Sequence, residues 1–268
     1  MSRISRILLG VAASLAVVAC LASTAAANWV DVADYQMASG AMTADSSGNG
    51  HTLGYWGDVT QSAPLGTGAI FNATSPTTNL SFLTSNLVPI DLTGYQQVAI
   101  SVNVQSVTTG DLANYPILVN TGYGNSFNNA NPGNMLIYLQ AGGVFAGVSG
   151  PTGGSGNTYT GLTSVTGNYV FEYNLSGAPN SVGNTVSVTV IKDGVTLGTS
   201  APAPLESFAN FGNFFYIGDF NTGGMQFSGQ LGSLDVAGNA APVPEPCTLA
   251  LLASGLLGLL AYAWKKRR

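Results

Sequence analysis

Alternation of apolar and polar positions dominates the middle of the chain. Residues 98–107 read VAISVNVQSV, apolar at every second position, as in a strand with one buried face. Residues 185–191, TVSVTVI, repeat that period, and Lys192-Asp193-Gly194 then interrupts it before Val195-Thr196-Leu197, which predicts a hairpin. Residues 116–120, 135–140, 169–174, 214–217 and 225–236 are further predicted strands, separated by clusters of Gly, Asn, Ser and Pro. No stretch between the termini sustains a 3.6-residue apolar stripe, so the predicted body is all-β. It covers residues 28–238, a length that suits one large sandwich or barrel and buries enough surface to do without staples.

The two ends follow another pattern. Arg3 and Arg6 precede an apolar run over residues 7–19, and Ala25-Ala26-Ala27 offers small residues for cleavage before Asn28. Residues 1–27 therefore read as a secretory signal peptide. Val17-Val18-Ala19-Cys20 also resembles a lipobox, which would instead place a lipid on Cys20. At the far end, Val243-Pro244-Glu245-Pro246 closes a linker over residues 239–246 and leads into residues 247–264, which carry no charge. As a helix those eighteen residues would span about 27 Å, close to the hydrocarbon core of a bilayer. Lys265, Lys266, Arg267 and Arg268 follow as a basic tail that stays cytoplasmic and leaves the body outside.

A Pro-Glu-Pro motif at Pro244, Glu245 and Pro246, one apolar transmembrane helix and a terminal basic cluster, in that order over residues 243–268, resemble the PEP-CTERM sorting signal of exported bacterial proteins. The resemblance implies recognition and processing near the motif by an exosortase, a membrane enzyme similar to a cysteine transpeptidase. It further implies a Gram-negative-type envelope and an association with exopolysaccharide or biofilm. The expected route is export, anchoring in the inner membrane through the helix, then delivery to the cell surface or extracellular matrix. Cys247 departs from the family pattern, in which a small residue such as Ser or Ala is commoner, and reads as a small apolar residue at the membrane boundary.

Within the body, Asp45-Ser46-Ser47-Gly48-Asn49-Gly50-His51 resembles the Asp-x-Ser-Gly-Asn-Gly turn of LamG-like domains, members of the concanavalin A-like lectin/glucanase jelly-roll class. Gly68-Ala69-Ile70-Phe71-Asn72 is similar to the strand that follows this turn, and Val190-Ile191-Lys192-Asp193-Gly194 to the late Asp-Gly hairpin. Tyr216-Ile217-Gly218 and Phe227-Ser228-Gly229-Gln230-Leu231 resemble the closing strands. The pieces keep the family's order across residues 31–237. They imply a concanavalin A-like jelly-roll sandwich flanked by the signal helix and the transmembrane helix. The family often places paired acids after the last motif; here Gly232 and Ser233 stand there, and Asp235 comes later.

Charge narrows the chemistry. Only 7% of residues are charged, and of the twelve acids all but Glu245 lie between residues 28 and 244, against the single base Lys192. A phosphate backbone would go unneutralised, so nucleic acid is excluded as a partner. Two cysteines and one histidine make neither a disulfide framework nor a zinc site. A Ser-His-Asp arrangement would need His51, expected as a solvated turn residue, and no Gly-x-Ser-x-Gly elbow occurs. Glycoside hydrolysis needs two carboxyl groups about 5–9.5 Å apart. Glucanases of the resembled class carry Glu-x-Asp-x-x-Glu on one strand, whereas Glu172 and Glu206 are isolated. The chain is therefore expected not to be an enzyme.

Two binding chemistries remain. Asp45, Ser47 and Asn49, followed by Gly50, match the first half of an EF-hand loop, but its twelfth position is Trp56 in place of an acid. Calcium on Asp45 and Asn49 would need oxygens from a distant strand, as the family resemblance allows; the alternative is an Asx turn bonding its own backbone. Carbohydrate binding needs aromatic faces for sugar rings and amides for hydroxyls. Tyr55 and Trp56 follow the turn, and Tyr115, Tyr123, Phe127, Asn125, Asn128, Asn129 and Asn131 crowd the 110–134 loop. Of these, Tyr55, Trp56, Tyr123 and Asn125 are the candidate sugar contacts, the alternative being aromatic packing. Residues 150–157, GPTGGSGN, read as a flexible turn. The expected function is that of a non-enzymatic surface or matrix protein binding exopolysaccharide. Its rivals are a structural protein with no small ligand and a polysaccharide-active enzyme on the same fold.

Overall fold

The computed structural model describes residues 28–240 apart from 40, 58, 62–67, 73–81, 86–88, 122–131, 153, 210–214 and 219–224. The expected signal peptide, membrane helix and basic tail lie outside the described residues, as do the Pro-Glu-Pro motif, Tyr123 and Asn125. Trp29–Ala241 forms one compact unit. Its strands are, in order, β1 (Trp29–Tyr35), β2 (Leu53–Trp56), β3 (Val59–Gln61), β4 (Ala69–Phe71), β5 (Phe82–Ser85), β6 (Tyr95–Val107), β7 (Ile117–Asn120) and β8 (Met135–Gln140). They continue as β9 (Gly143–Val148), β10 (Ser155–Thr160), β11 (Gly167–Leu175), β12 (Thr185–Lys192), β13 (Val195–Thr199), β14 (Ala203–Pro204), β15 (Tyr216–Ile217) and β16 (Gly229–Ala240). A short 3-10 helix, Thr109–Asn114, precedes β7. Among the described residues no helix is long and apolar enough to cross a membrane.

The strands form two antiparallel sheets, and the fold is a jelly-roll-like sandwich. One sheet runs β13-β12-β11-β6-β16-β4-β3, with β1 added on β16 and β14 on β12. The other runs β10-β9-β8-β7-β15-β5-β2. Every strand with a clean period of two turns its apolar set inward: Val98, Ile100, Val102 and Val104 on β6, Tyr169, Phe171 and Tyr173 on β11, Val186, Val188 and Val190 on β12 are all fully or almost fully buried. Met135, Ile137, Leu139, Val144, Ala146 and Val148 meet them from the second sheet. At about 1.5–3 kcal/mol for each large apolar side chain, this interleaved layer supplies the main force holding the sheets together.

Local chemistry sets the turns and the closures. Asp193 (φ 50) and Gly194 (φ 80) are both left-handed, the geometry of a two-residue hairpin turn, and join β12 to β13 at the Lys192↔Val195 pair. Lys192 Nζ donates to Asp193 Oδ2 at 2.5 Å and lies 5.7 Å from the centre of the Tyr169 ring, so the one basic residue of the body is tied into this turn. Where β10 meets the first sheet, the Tyr159 hydroxyl donates to the Val188 carbonyl and Ser155 Oγ lies 2.7 Å from Ser200 Oγ. Ala69 pairs with Leu231 and Phe71 with Gly229, while the Phe71 and Phe227 rings pack edge to face. Two of the family-like motifs are thus each other's partners, and Gly68 (φ +112) sits so close over the Leu231 carbonyl that a Cβ has no room.

Two expectations need correction. Residues 155–157, read as flexible turn, belong to β10; glycine stands at 156 because a Cβ there would lie 2.9 Å from both the Phe145 ring and the Gly147 Cα. His51, expected in solvent, is only 8% exposed. The Tyr35 hydroxyl donates to its carbonyl at 2.6 Å and its N–H donates to Asp45, which together draw the end of the turn against the core.

Candidate functional site

The Asp45–His51 turn lies across β1, and its polar side chains are spent on holding it there. Asp45 Oδ1 accepts the N–H groups of Asp34 (3.0 Å) and Ser47 (2.9 Å), and Oδ2 accepts that of His51 (2.9 Å). Asn49 Nδ2 donates to the carbonyls of Asp31 and Val32, and Ser47 Oγ reaches the Val32 carbonyl. Burial alone would push the Asp45 carboxyl up, but the backbone N–H of Asp34, the Ser47 hydroxyl and the N–H groups of His51 and Ser47 outweigh it and hold the group below its ordinary value. This is an Asx turn extended into a clamp. The donor set does not fit calcium, because both carboxylate oxygens face N–H donors that would otherwise be left unpaired. Among the described residues no group of three or more His, Cys, Asp or Glu is placed to hold a metal ion.

Beside the clamp, three carboxyl groups share the outer face of the first sheet. Asp34 stands directly opposite Asp235 across the β1–β16 pair, and a bulge between Asp31 and Ala33 brings Asp31 to the same face. On the far side of β16, Asp235 faces Ser101 of β6. Asp34 is satisfied by Gln36 Nε2 (2.6 Å) and Ser46 Oγ (2.8 Å), whereas Asp235 Oδ1 is buried without a partner. Burial pushes the Asp235 carboxyl up to about 6, helped by the charges of Asp31 and Asp34.

An aromatic row occupies the outer face of the second sheet. Tyr138 on β8 pairs with Phe145 on β9, and Phe145 with Thr158 on β10. The Tyr138 and Phe145 rings stack 4.6 Å apart at 10°, and Tyr115, at the end of the 3-10 helix, meets Tyr138 edge to face at 5.5 Å. Burial and the neighbouring Tyr115 push the Tyr138 hydroxyl up, while its hydrogen bond with the Thr158 side chain pulls the other way. Gly143 and Gly147 flank Phe145 on its strand, and Gly156 pairs with Gly147, so the rings stand over a glycine floor. Tyr115 was visible in the sequence as a loop aromatic. Tyr138 and Phe145 were missed, although MLIYLQ and GVFAGV place both out of phase with the core positions.

Of the expected sugar contacts, Tyr55 and Trp56 are not brought to this row. Tyr55 and Trp56 lie on β2, the edge strand at the other end of the same sheet, four strands from β8, a separation of about 19 Å at the usual strand spacing. Glu172 sits on β11 between Ala99 and Thr189, and Glu206 in the loop after β14, so no strand carries both.

Residues 242–268 match the PEP-CTERM protein-sorting motif. No curated protein matches the chain. Among solved structures it is similar to the binding domain of botulinum neurotoxin serotype G, with a TM-score of 0.52 and 11% identity over 84% of this chain and 51% of that one. The serotype D binding domain gives 0.51 and 11% over 84% and 52%. Domain 4 of AbnA, a GH43 extracellular arabinanase from Geobacillus stearothermophilus solved in complex with arabinotriose, gives 0.43 and 15% over 82% and 97%, too loose an overlap to carry an argument. The chain spans about half the length of the neurotoxin domains it matches, and at these identities the likeness is one of fold. The body is thus a β-sandwich of a kind found in receptor-binding domains, and the tail is a sorting motif that directs an exported protein to the cell envelope.

Proposed function

We propose that the chain is a non-enzymatic surface or matrix protein, delivered through its PEP-CTERM tail and meeting exopolysaccharide through its sandwich. The observation that carries this reading is the match of residues 242–268 to the sorting motif behind an independently compact sandwich. In this reading an exosortase recognises Pro244, Glu245 and Pro246, residues 247–264 hold the protein in the inner membrane until then, and Lys265 to Arg268 remain cytoplasmic. The sandwich suits a hydrated polymer environment: it carries few charges, and its one base is occupied by Asp193. Tyr55, Trp56, Tyr123 and Asn125 remain one proposed group of sugar contacts; of these, Tyr55 and Trp56 lie on β2, at the other end of the sheet from the aromatic row. A host strain lacking the exosortase tests the route. The protein is expected to stay full length in its membrane fraction, and to appear in the surface or matrix fraction when the enzyme is restored; equal surface delivery in both strains would refute it.

A further inference from the structure

Stability does not explain a tyrosine at position 115. The residue closes the helix Thr109–Asn114 in the left-handed region, φ 55 and ψ 59, where a bulky side chain is strained. It also precedes Pro116, and proline favours an extended residue before it. Glycine or asparagine would close the helix with less strain. Burial offers no compensation, because Tyr115 is 48% exposed. The ring is nonetheless fixed: its edge-to-face contact with Tyr138 is backed by the Tyr138–Phe145 stack and by the Tyr138–Thr158 hydrogen bond.

The surroundings are uncharged and polar. β8, β9 and β10 contain no charged residue, and their outward positions present Gln140, Thr158 and Thr160 around the glycine floor. On the same short helix, Leu112 lines a cleft of about 290 Å³ whose wall combines Leu162 and Val165 with Thr163, Ser164 and Thr166. A fixed, half-exposed ring with hydroxyl and amide groups about it can take the apolar face of a pyranose on the ring and its hydroxyls on the rim. A polyanion would find no counter-charge, since the one lysine or arginine among the described residues, Lys192, is paired with Asp193 on the other sheet. The geometry points to a binding surface for a neutral polysaccharide on the outer face of β8, β9 and β10, with Tyr115 as its anchor. It rests on the reading that the sandwich meets polysaccharide outside the cell, and adds the surface and the charge class.

Affinity electrophoresis of the processed protein from its host tests this, with the host's exopolysaccharide separated into neutral and anionic fractions and cast into native gels. Wild type is retarded by the neutral fraction and not by the anionic one. Tyr115→Gly, which suits the left-handed backbone, keeps or raises Tm and weakens retardation by about tenfold or more. Tyr138→Phe keeps the ring stack and weakens retardation by about threefold. Undiminished binding by Tyr115→Gly overturns this surface while leaving the polysaccharide reading in place. Loss of binding together with a fall in Tm makes Tyr115 a structural residue and overturns it too. Retardation by the anionic fraction alone overturns the neutral class, and retardation by neither fraction overturns both the surface and the reading beneath it.

Discussion

Replacing Asp235 by asparagine isolates the one carboxyl among the described residues that is buried with an unpartnered oxygen. The side chain faces Asp34 directly and Asp31 nearby, with Ser101 on its other side, and its Oδ1 is buried without a partner. No cation approaches from β1, β16 or β6: none of the three strands contains a lysine, arginine or histidine. The folded chain therefore favours the protonated acid, with a value near 6 against an ordinary 3.8. A raised acid is neutral in cost while protonated in both states, and its penalty grows as pH climbs from the unfolded value through the folded one. At full strength a displacement of that size corresponds to about 3 kcal/mol. Water reaching the rest of the side chain screens it, leaving about 1.5 kcal/mol. Asp235→Asn keeps the shape and removes the charge. At pH 7.5 it should raise Tm by about 3–6 °C, and at pH 4, where the penalty has only begun to build, by about 1 °C or less. Thermal melts of the body across that range, followed by circular dichroism, give the difference directly. An equal gain at both pH values, or a lower Tm at pH 7.5, would refute the electrostatic account of this face.

Other consequences are as specific. Asp45→Ala strands three backbone N–H groups and should cost about 2–4 kcal/mol; because the group is held below its ordinary value, the wild-type contribution is present above that ordinary value and fades as the carboxyl protonates, so the Tm gap should narrow as pH falls below the ordinary carboxylate range. Addition of calcium should leave the Tm of wild type unchanged, and a rise on titration, lost in Asp45→Asn, would show that the clamp opens to a metal. Gly68→Ala drives a Cβ into the Leu231 carbonyl and should cost about 2–5 kcal/mol. Gly48→Ala, equally left-handed but with nothing within 4 Å, should cost only about 1–2 kcal/mol of backbone strain. Comparable losses in chemical denaturation would show that the close approach to β16 carries no weight.

What could be read along the chain was what one strand decides for itself. β6, β8, β11 and β12 announce their period of two, and the Lys192-Asp193-Gly194 turn is a local backbone requirement. β9 and β10 did not, because the Phe145 ring and the Gly147 backbone leave no room for a Cβ at 156, and glycine-rich segments read as loops until the neighbour that demands them is known. The same limit hid the aromatic row. Tyr138 and Phe145 are visible as outward positions, but only the hairpin register stacks them, and only the helix before β7 adds Tyr115. The Asp34–Asp235 confrontation depends on pairing the first strand with the last, which no local pattern encodes. The sorting motif over residues 242–268 was legible, since a Pro-Glu-Pro motif, an uncharged apolar run and a basic end are each a property of contiguous residues.

Intact-mass spectrometry of the mature protein from its host, comparing membrane with surface and released fractions, tests the central claim most directly. A surface or released species running from Asn28 to the neighbourhood of Pro244–Cys247, bearing any group added at the new end, is the predicted result. A species running from Asn28 to Arg268, found in the membrane fraction alone, would contradict it and make the tail an ordinary anchor.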